Sequence, residues 1–188
     1  MKLFYVLGVL FSLALPAPAL DREAFSFTRS ELDLTLDPGQ QRLGVRGKIT
    51  LRNDSDSPQR SAALQISSSL HWASIQIGGK SAEFVTQTYA SDIDHTGALS
   101  EAILTLSKPV APKDILEVTV GYEGVVQQDT TRLTRIGVPT DTAKHSEWDQ
   151  ISSSFTGLRG IGYVAWYPIA TEAASMTSRA SVRDSPSR

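Results

Sequence analysis

The sequence predicts an all-β fold, an antiparallel β-sandwich, and three observations support this prediction. Short segments alternate apolar and polar residues, which is the pattern of strands that bury one face. Gly, Pro, Asn and Asp residues separate these segments and act as turn signals. No window between Asp21 and Tyr122 keeps a helical period. About seven short strands at such a spacing are typical of a β-sandwich.

Residues 1–19 are predicted to be a cleavable signal peptide. Lys2 precedes an apolar run over residues 3–15, and Ala17-Pro18-Ala19 then offers the small residues that signal peptidase recognises. An uncleaved membrane anchor needs about 20 apolar residues, and this run is shorter. We therefore expect cleavage after Ala19, export to the periplasm or the extracellular space, and no membrane span in the mature chain.

Residues 20–170 are predicted to form the sandwich domain, which begins with a hairpin. The segment "ELDLTLD" at 31–37 alternates leucine with polar residues, and "RLGVRGKITLRN" at 42–53 alternates again. Pro38-Gly39 lies between them, and a turn of this kind suits a positive φ at the glycine. The turn "NDSDSP" then leads into a third strand near Ala62.

The following strands contain one irregularity. The parity of the apolar residues changes between Trp72 and Ile75, which predicts a bulge or a loop between them. Pro109, Pro112 and the Lys113-Asp114 pair predict a turn before the last strand of the series. Further strands are expected at 82–89, 101–107 and 116–122.

The alternation stops at residue 127. Residues 127–160 read as a long loop, which in a compact domain is usually functional or docks on something. Residues 161–170 regain an apolar and aromatic character. Residues 127–170 are therefore predicted to be a docking surface for a missing catalytic domain or for a protein partner. Its large apolar residues are Trp148, Phe155, Tyr163, Trp166, Tyr167 and Ile169. The alternative is that Trp166 and Tyr167 complete the sandwich core as a last strand and that only the loop is mobile. Residues 171–188 offer few large apolar side chains and are predicted to be a disordered tail.

The charge balance and the lack of cysteine exclude several classes of function. The chain of 188 residues has 18 basic and 20 acidic side chains and a formal net charge of −2. Because nucleic-acid binding depends on a basic surface, we expect no nucleic-acid partner. The absence of cysteine from the sequence excludes disulfides, thiol catalysis and cysteine-ligated zinc.

Several short motifs occur in a recognisable order. They are "ELDLTLD" (31–37), "GKITLRN" (47–53), "ASIQIGGK" (73–80), "DIDHTG" (92–97), "LTLSKPV" (104–110), "LEVTVGYEG" (116–124) and "WYP" (166–168). This order resembles the N-terminal domain of aminopeptidase N-like zinc metallopeptidases of the gluzincin type, over residues 25–170. The most specific motif ends in Tyr122 and Gly124. Both residues also have a structural explanation, an aromatic that packs at a strand end and a glycine that lets the chain turn.

The catalytic motifs of such peptidases have no counterpart in this chain. In "H-E-x-x-H" two histidines bind zinc and the glutamate activates the bound water, while a "G-x-M-E-N" strand holds the amino end of the substrate. His71, His95 and His145 are far apart in the sequence, and neither Met1 nor Met176 lies in such a strand motif. No catalytic, cofactor-binding or metal-binding residue is therefore predicted, and no cofactor is expected. The chain by itself is expected not to be an enzyme.

Two loops contain carboxylates that could suggest calcium. Asp92, Asp94 and His95 cluster in one loop, and Asp54 and Asp56 in another. A calcium loop needs more carboxylates and usually a bidentate glutamate, so solvated turn residues are the favoured interpretation of both.

Two further groups of residues have side chains that occur in metal or catalytic sites. His145, Glu147 and Asp149 alternate in the long loop and could contact a metal, but one histidine and two carboxylates are ordinary in a polar loop. Ser67–Ser69 and Ser152–Ser154 have no evident base nearby in the sequence.

Two hypotheses follow for the function. The first is a non-catalytic scaffold domain of an exported zinc metallopeptidase-like protein, in a chain that stops before the catalytic domain, and the order of the motifs favours it. The second is a self-sufficient exported binding module that presents Trp72, Trp148 or Trp166 to a carbohydrate or a protein. A downstream coding sequence with "H-E-x-x-H" would decide for the first.

Overall fold

The computed structural model describes residues 20–169 of the chain. The predicted signal peptide, Ala170 and the predicted tail at 171–188 lie outside the described residues. The elements in chain order are β1 (Phe25–Asp37), β2 (Arg42–Asn53), β3 (Gln59–Ser67), β4 (Leu70–Ile77), β5 (Lys80–Ser81), β6 (Glu83–Ala90), β7 (Ala98–Val110), β8 (Ile115–Val125), α1 (Thr131–Arg135), α2 (Thr140–Ser146), β9 (Gln150–Ile151) and β10 (Thr156–Gly157).

The strands form two larger sheets and one small one. The larger sheets have the strand orders β1-β2-β8-β4-β5 and β3-β7-β6, and β9 pairs with β10. Every strand pair is antiparallel. The predicted all-β class with antiparallel sheets is confirmed.

The two larger sheets share one hydrophobic core. Leu43 of β2 and Tyr122 of β8 belong to the same buried cluster as Leu64 of β3 and Leu104 of β7. Each of these four side chains is at most 2% exposed. Full burial of such a side chain stabilises the fold by about 1.5–3 kcal/mol. Two sheets that pack their apolar faces together are the arrangement of a β-sandwich.

The predicted first hairpin is confirmed, but its turn differs from the expectation. β1 pairs with β2 along its length and begins at Phe25, earlier than the sequence indicated. The positive φ lies at Gln41 (57°) and not at Gly39. The carboxylate of Asp37 accepts the backbone N–H of Gln40 at 3.0 Å, and this bond closes the turn one residue before the left-handed position.

The irregularity between Trp72 and Ile75 is confirmed, and so is the predicted turn before β8, although Pro109 lies in β7 and not in that turn. The pairing of β4 with β8 shifts register between Trp72 and Ser74. β7 continues through Pro109. The register between β3 and β7 shifts at this point and leaves Pro109 without a partner on β3, so no backbone N–H is required from the proline. The turn follows instead, with Lys113 at a φ of 69°.

Residues 127–160 are not the structureless loop that the sequence indicated. α1 begins at Thr131, whose backbone N–H donates a hydrogen bond of 2.7 Å to the carboxylate of Asp129. α2 begins after Pro139, whose fixed φ suits a helix start, and has Asp141 in its first turn. In the part of the chain that the structure describes, neither helix is long and apolar enough to cross a membrane.

Candidate functional site

A network of ion pairs organises the segment from 127 to 169, which we call the C-terminal segment. Glu147 and Asp149 are each 1% exposed. The guanidinium of Arg159 pairs with Asp149 at 2.5 Å and with Glu147 at 3.4 Å. Arg132 pairs with the other oxygen of Glu147. Two cations therefore neutralise two buried carboxylates, which leaves these carboxylates paired and not poised as free ligands.

Aromatic rings surround the cation at the centre of this network. The guanidinium carbon of Arg159 lies 3.3 Å from the ring centre of Tyr163 and 4.1 Å from that of Trp148. Trp148 in turn meets Phe155 edge to face, with ring centres 5.7 Å apart. A Cβ on Gly157 would lie within 2.8 Å of both Trp148 and Phe155, so glycine is needed there for this packing. Cation–π contacts of this kind stabilise by about 0.5–2 kcal/mol.

Two aromatic side chains of this cluster face solvent. Trp148 is 40% exposed and Phe155 is 44% exposed. Ile136, at the end of α1, is 66% exposed. The other large residues of the predicted docking surface are less accessible, and Ile169 is buried. Of these exposed side chains, Trp148 and Phe155 contact each other, and we define this pair as the aromatic patch.

The C-terminal segment is fastened to the sandwich at several points. Ile151 of β9 donates its N–H to Val126 at 2.9 Å and belongs to the main core. Gln65 and Ile169 exchange backbone hydrogen bonds at 3.2 and 2.9 Å. The Tyr122 hydroxyl donates to the carbonyl of Trp166 at 3.0 Å. Burial raises the pKa of this phenol, so the hydroxyl keeps its proton and remains a donor.

The "DIDHTG" loop is buried where the sequence suggested solvated turn residues. Asp94 and His95 are at most 1% exposed. Asp94 accepts hydrogen bonds from Ser67 at 3.0 Å, from the Thr96 hydroxyl at 2.8 Å and from the N–H of Ala165 at 2.8 Å. The favoured interpretation of this loop was therefore wrong, because the chain at 165 folds over it and encloses Asp94.

The serine clusters do not form a nucleophile with a base. The hydroxyl of Ser67 is buried and donates to Asp94, and it is held at 2.8 Å from the hydroxyl of Ser69. The ring of His95 lies beside the same carboxylate, with Nε2 at 3.9 Å from Asp94. Neither ring nitrogen has a hydrogen-bond partner among the described residues. Ser152 donates to the backbone carbonyl of Phe155 at 2.7 Å.

The other residues weighed from the sequence are dispersed. His145 lies at the end of α2 with Nδ1 2.6 Å from the carbonyl of Asp141, away from the carboxylates it alternates with. Asp54 pairs with Arg52 at 2.8 Å at the surface. Within residues 20–169, no group of three or more His, Cys, Asp or Glu side chains is placed to hold a metal ion.

Sequence reasoning did not identify the two arginines of the network. The sequence does contain an indication of the buried carboxylates. Glu147, Asp149 and Ile151 lie at alternate positions, so in an extended segment their side chains lie on the same side, and Ile151 is fully buried. Carboxylates on the buried side of an extended segment need cationic partners. Arg132 and Arg159 lie within reach along the chain, but their choice depends on tertiary contacts.

A further buried carboxylate lies on β7 of the three-stranded sheet. Glu101 of β7 accepts hydrogen bonds from Arg22 at 2.8 Å, from Gln87 at 2.6 Å and from Gln65 at 2.8 Å. Burial alone would raise the pKa of this carboxyl, but the hydrogen bonds outweigh burial and the pKa is lowered. The arrangement ties the N-terminal residues to the three-stranded sheet.

Comparison with known proteins finds similar solved structures. No protein-family model and no curated protein matches the chain. An M1 zinc metallopeptidase from Deinococcus radiodurans is similar, with 19% identity, a TM-score of 0.45, and coverage of 59% of this chain and 23% of that one. A mutant of the Deinococcus enzyme bound to a Tyr-Ser-Ala substrate has 17% identity and the same TM-score, and 60% of this chain is covered.

A third similar structure is a two-domain M1 zinc metallopeptidase mutant bound to L-tryptophan, again with 17% identity and a TM-score of 0.45. This chain spans 23% of the length of these enzymes. The similar structures are zinc metallopeptidases, which is the class that the motifs of the sequence resemble. Similarity of this extent does not transfer their activity to this chain.

Proposed function

We propose that residues 20–169 are a non-catalytic scaffold domain of an exported protein similar to aminopeptidase N-like zinc metallopeptidases. In this proposal the complete protein continues into a catalytic domain, and the described domain supports that domain without contributing to the chemistry. The proposal rests on the residues of this chain that carry the resemblance and on the roles that they have in its fold.

One observation carries this proposal. Two of the motifs are distant in sequence, and the hydrogen bond of 3.0 Å from Tyr122 to Trp166 joins them. Tyr122 also meets Trp72 edge to face, with ring centres 5.3 Å apart. A Cβ on Gly124 would lie 2.2 Å from the carbonyl oxygen of Ser69, so the glycine permits close approach of the chain there. The most specific residues of the resemblance therefore hold elements together, which is what a scaffold requires.

The patch of Trp148 and Phe155 is the proposed contact with the catalytic domain. Its two side chains are 40% and 44% exposed, and Arg159, which is held by buried carboxylates, packs against Trp148. Exposed aromatic residues on a firm base are typical of protein interfaces. This proposal is narrower than the original docking surface of 127–170, because Ile169 and its neighbours pack against the sandwich.

A binding module for carbohydrate or protein is the second candidate. Trp72 is 8% exposed and belongs to the core, and Trp166 is partly buried against the core, whereas Trp148 is 40% exposed. Only an accessible ring can stack on a sugar or fill a pocket of a partner. The exposure of Trp148 therefore keeps this candidate open at one position, and a complex that forms without any downstream domain would favour it.

Zinc content and peptidase activity test the catalytic part of the proposal. The purified full chain should hold no stoichiometric zinc and should not cleave an alanine p-nitroanilide, because the sequence contains no "H-E-x-x-H" motif. Elemental analysis that finds about one tightly held zinc per chain would overturn it.

Binding to the downstream region tests the scaffold part. The coding sequence that follows should encode "H-E-x-x-H", and the encoded region, produced separately, should bind this chain. Replacing both Trp148→Ser and Phe155→Ser should weaken that binding at least roughly tenfold, since buried aromatic anchors dominate interface energies. Val85→Ser is the matched control, because Val85 is 64% exposed on β6 and lies outside the patch. Equal losses in both variants would contradict the assigned interface.

A further inference from the structure

The outer face of the five-stranded sheet contains a polar trough. Its cavity volume is about 650 Å³, and β1, β2, β4 and β8 contribute its walls and floor. Ligand cavities of proteins are commonly about 300–1,000 Å³ in volume. The trough lies on the face of the sheet opposite the core and is not part of the C-terminal segment.

Two glycines on adjacent strands form the floor of this trough. Gly44 of β2 pairs with Glu123 of β8, and Arg46 of β2 pairs with Gly121 of β8. A Cβ on Gly44 would have its nearest neighbour at 3.9 Å, so the space above Gly44 is open, whereas a Cβ on Gly121 would lie 2.7 Å from the hydroxyl of Ser74, which covers that glycine. Glycine inside a strand weakens the strand, and one reason to keep it is the close approach of a ligand to the backbone.

The walls of the trough present both hydrogen-bond donors and acceptors. Asp33 and Asp37 on β1 and Glu123 on β8 supply carboxylates, and Arg42 and Arg46 on β2 supply guanidinium groups. Arg42 pairs with Glu123 at 3.1 Å. Within residues 20–169, neither Arg46 nor Asp33 takes part in an ion pair, although they lie opposite each other on neighbouring strands.

The charged side chains that line the trough indicate which kind of ligand fits it. The trough has three carboxylates and two guanidinium groups, so its net charge is close to zero. It therefore attracts a strongly charged ligand only weakly. Each hydroxyl of a sugar both donates and accepts, so it can donate to a carboxylate and accept from a guanidinium. Tyr122 lies beneath the trough with its ring in the core, at 2% exposure, so the ligand gains no stacking from it. The lining therefore fits an uncharged polyhydroxylated ligand better than an apolar peptide.

We propose that this trough binds an uncharged oligosaccharide. The sugar hydroxyls contact Asp33 and Arg46, and the ring lies over Gly44. Because stacking on an aromatic ring is missing, the affinity is weak, with a Kd of about 0.1–10 mM. This site is independent of the proposed scaffold function and of the patch around Trp148.

The experiment is an NMR titration of the isotope-labelled full chain with cellotetraose, maltotetraose and N,N′,N″,N‴-tetraacetylchitotetraose, each up to about 10 mM. At least one of them should shift the amide signals of Gly44, Arg46 and Gly121. A Ser-Gly-Ser-Gly peptide is run in parallel, because it offers hydrogen bonds and no ring of hydroxyls.

Matched variants localise the binding. Gly44→Val fills the open floor in a strand-compatible way and should weaken binding at least roughly tenfold. Asp33→Asn keeps the shape of the wall and should also weaken it. Thr119→Val is the control, because Thr119 is exposed on the same face but lies outside the trough. Each variant is checked for an unchanged thermal unfolding midpoint.

The proposal is overturned if no saccharide shifts these signals, if the shifts centre on Trp148, if the peptide binds the trough more tightly, or if both trough variants bind like Thr119→Val. Because the scaffold is tested by zinc content and by the downstream region, either proposal can fail without the other.

Discussion

Replacing Arg159 with leucine should destabilise the C-terminal segment more than any exposed charge substitution. The change removes the guanidinium that pairs with Asp149 at 2.5 Å and with Glu147 at 3.4 Å. Removing one partner of a buried ion pair generally costs about 3–5 kcal/mol, because the remaining charge stays buried. Two features reduce this figure here. Asp149 keeps its hydrogen bond from the backbone N–H of residue 159, and Glu147 keeps Arg132.

The side chain of Arg159 is also 23% exposed, so water screens part of the interaction. The lost contacts with Tyr163 and Trp148 add about 0.5–1 kcal/mol. We therefore expect a decrease of about 2–3 kcal/mol in the free energy of unfolding. For a chain of this length, that corresponds to a decrease of about 4–12 °C in the midpoint of thermal unfolding.

Urea unfolding, followed by tryptophan fluorescence and near-ultraviolet circular dichroism, measures the free energy. Amide exchange over residues 147–163 shows whether the loss is local. A double-mutant cycle with Asp149→Asn should give a coupling energy of about 1–2 kcal/mol. Arg29→Leu is the control, because the pair of Arg29 with Glu31 is largely exposed and should contribute less than about 1 kcal/mol. The reasoning fails if Arg159→Leu costs no more than Arg29→Leu.

Three further predictions concern other parts of the molecule. The fold lowers the pKa of the Glu101 carboxyl from 4.5. The ionised Glu101 therefore stabilises the fold fully above that pH, and this contribution is lost as the pH falls below it. Glu101→Gln should flatten the acid side of a stability–pH profile. Gly124→Ala should unfold or strongly destabilise the chain, because the new Cβ would lie 2.2 Å from the carbonyl oxygen of Ser69. Gly39→Ala is the control and should be tolerated, since its nearest contact would be at 3.4 Å, and thermal unfolding compares the two variants. N-terminal sequencing of the secreted protein should find Leu20 first.

The alternation of side chains was sufficient to predict most strands. In β2 and β8 the apolar parity matches the buried face, since Val45 and Val118 are at most 2% exposed. The shift in parity after Trp72 correctly indicated an irregular pairing. These predictions succeed because a strand with one buried face records its orientation in its own sequence.

The environment of the "DIDHTG" loop could not be predicted in this way. Asp94 looks like a turn residue locally, and the bond to its carboxylate comes from Ala165, 71 residues further along the chain. The same limit applies to Arg159, because no local pattern says which cation will meet a buried carboxylate. The positive φ at Gln41 depends on a local side-chain contact. The carboxylate of Asp37 accepts the N–H of Gln40, and this bond places the left-handed residue at Gln41 and not at Gly39.

The contact between Gln65 and Ile169 has a consequence for the behaviour of the protein in solution. β3 is an edge strand of its sheet, and unpaired backbone groups on an edge can recruit another chain and start aggregation. Ile169 and Ala165 occupy these groups with hydrogen bonds of 2.7–3.2 Å to Gln65 and Ser67. Residues 165–169 thus protect this part of the edge from pairing with another chain. Proteolytic removal of these residues would expose the backbone groups of Gln65 and Ser67, and it would also remove Trp166 from its contact with the core.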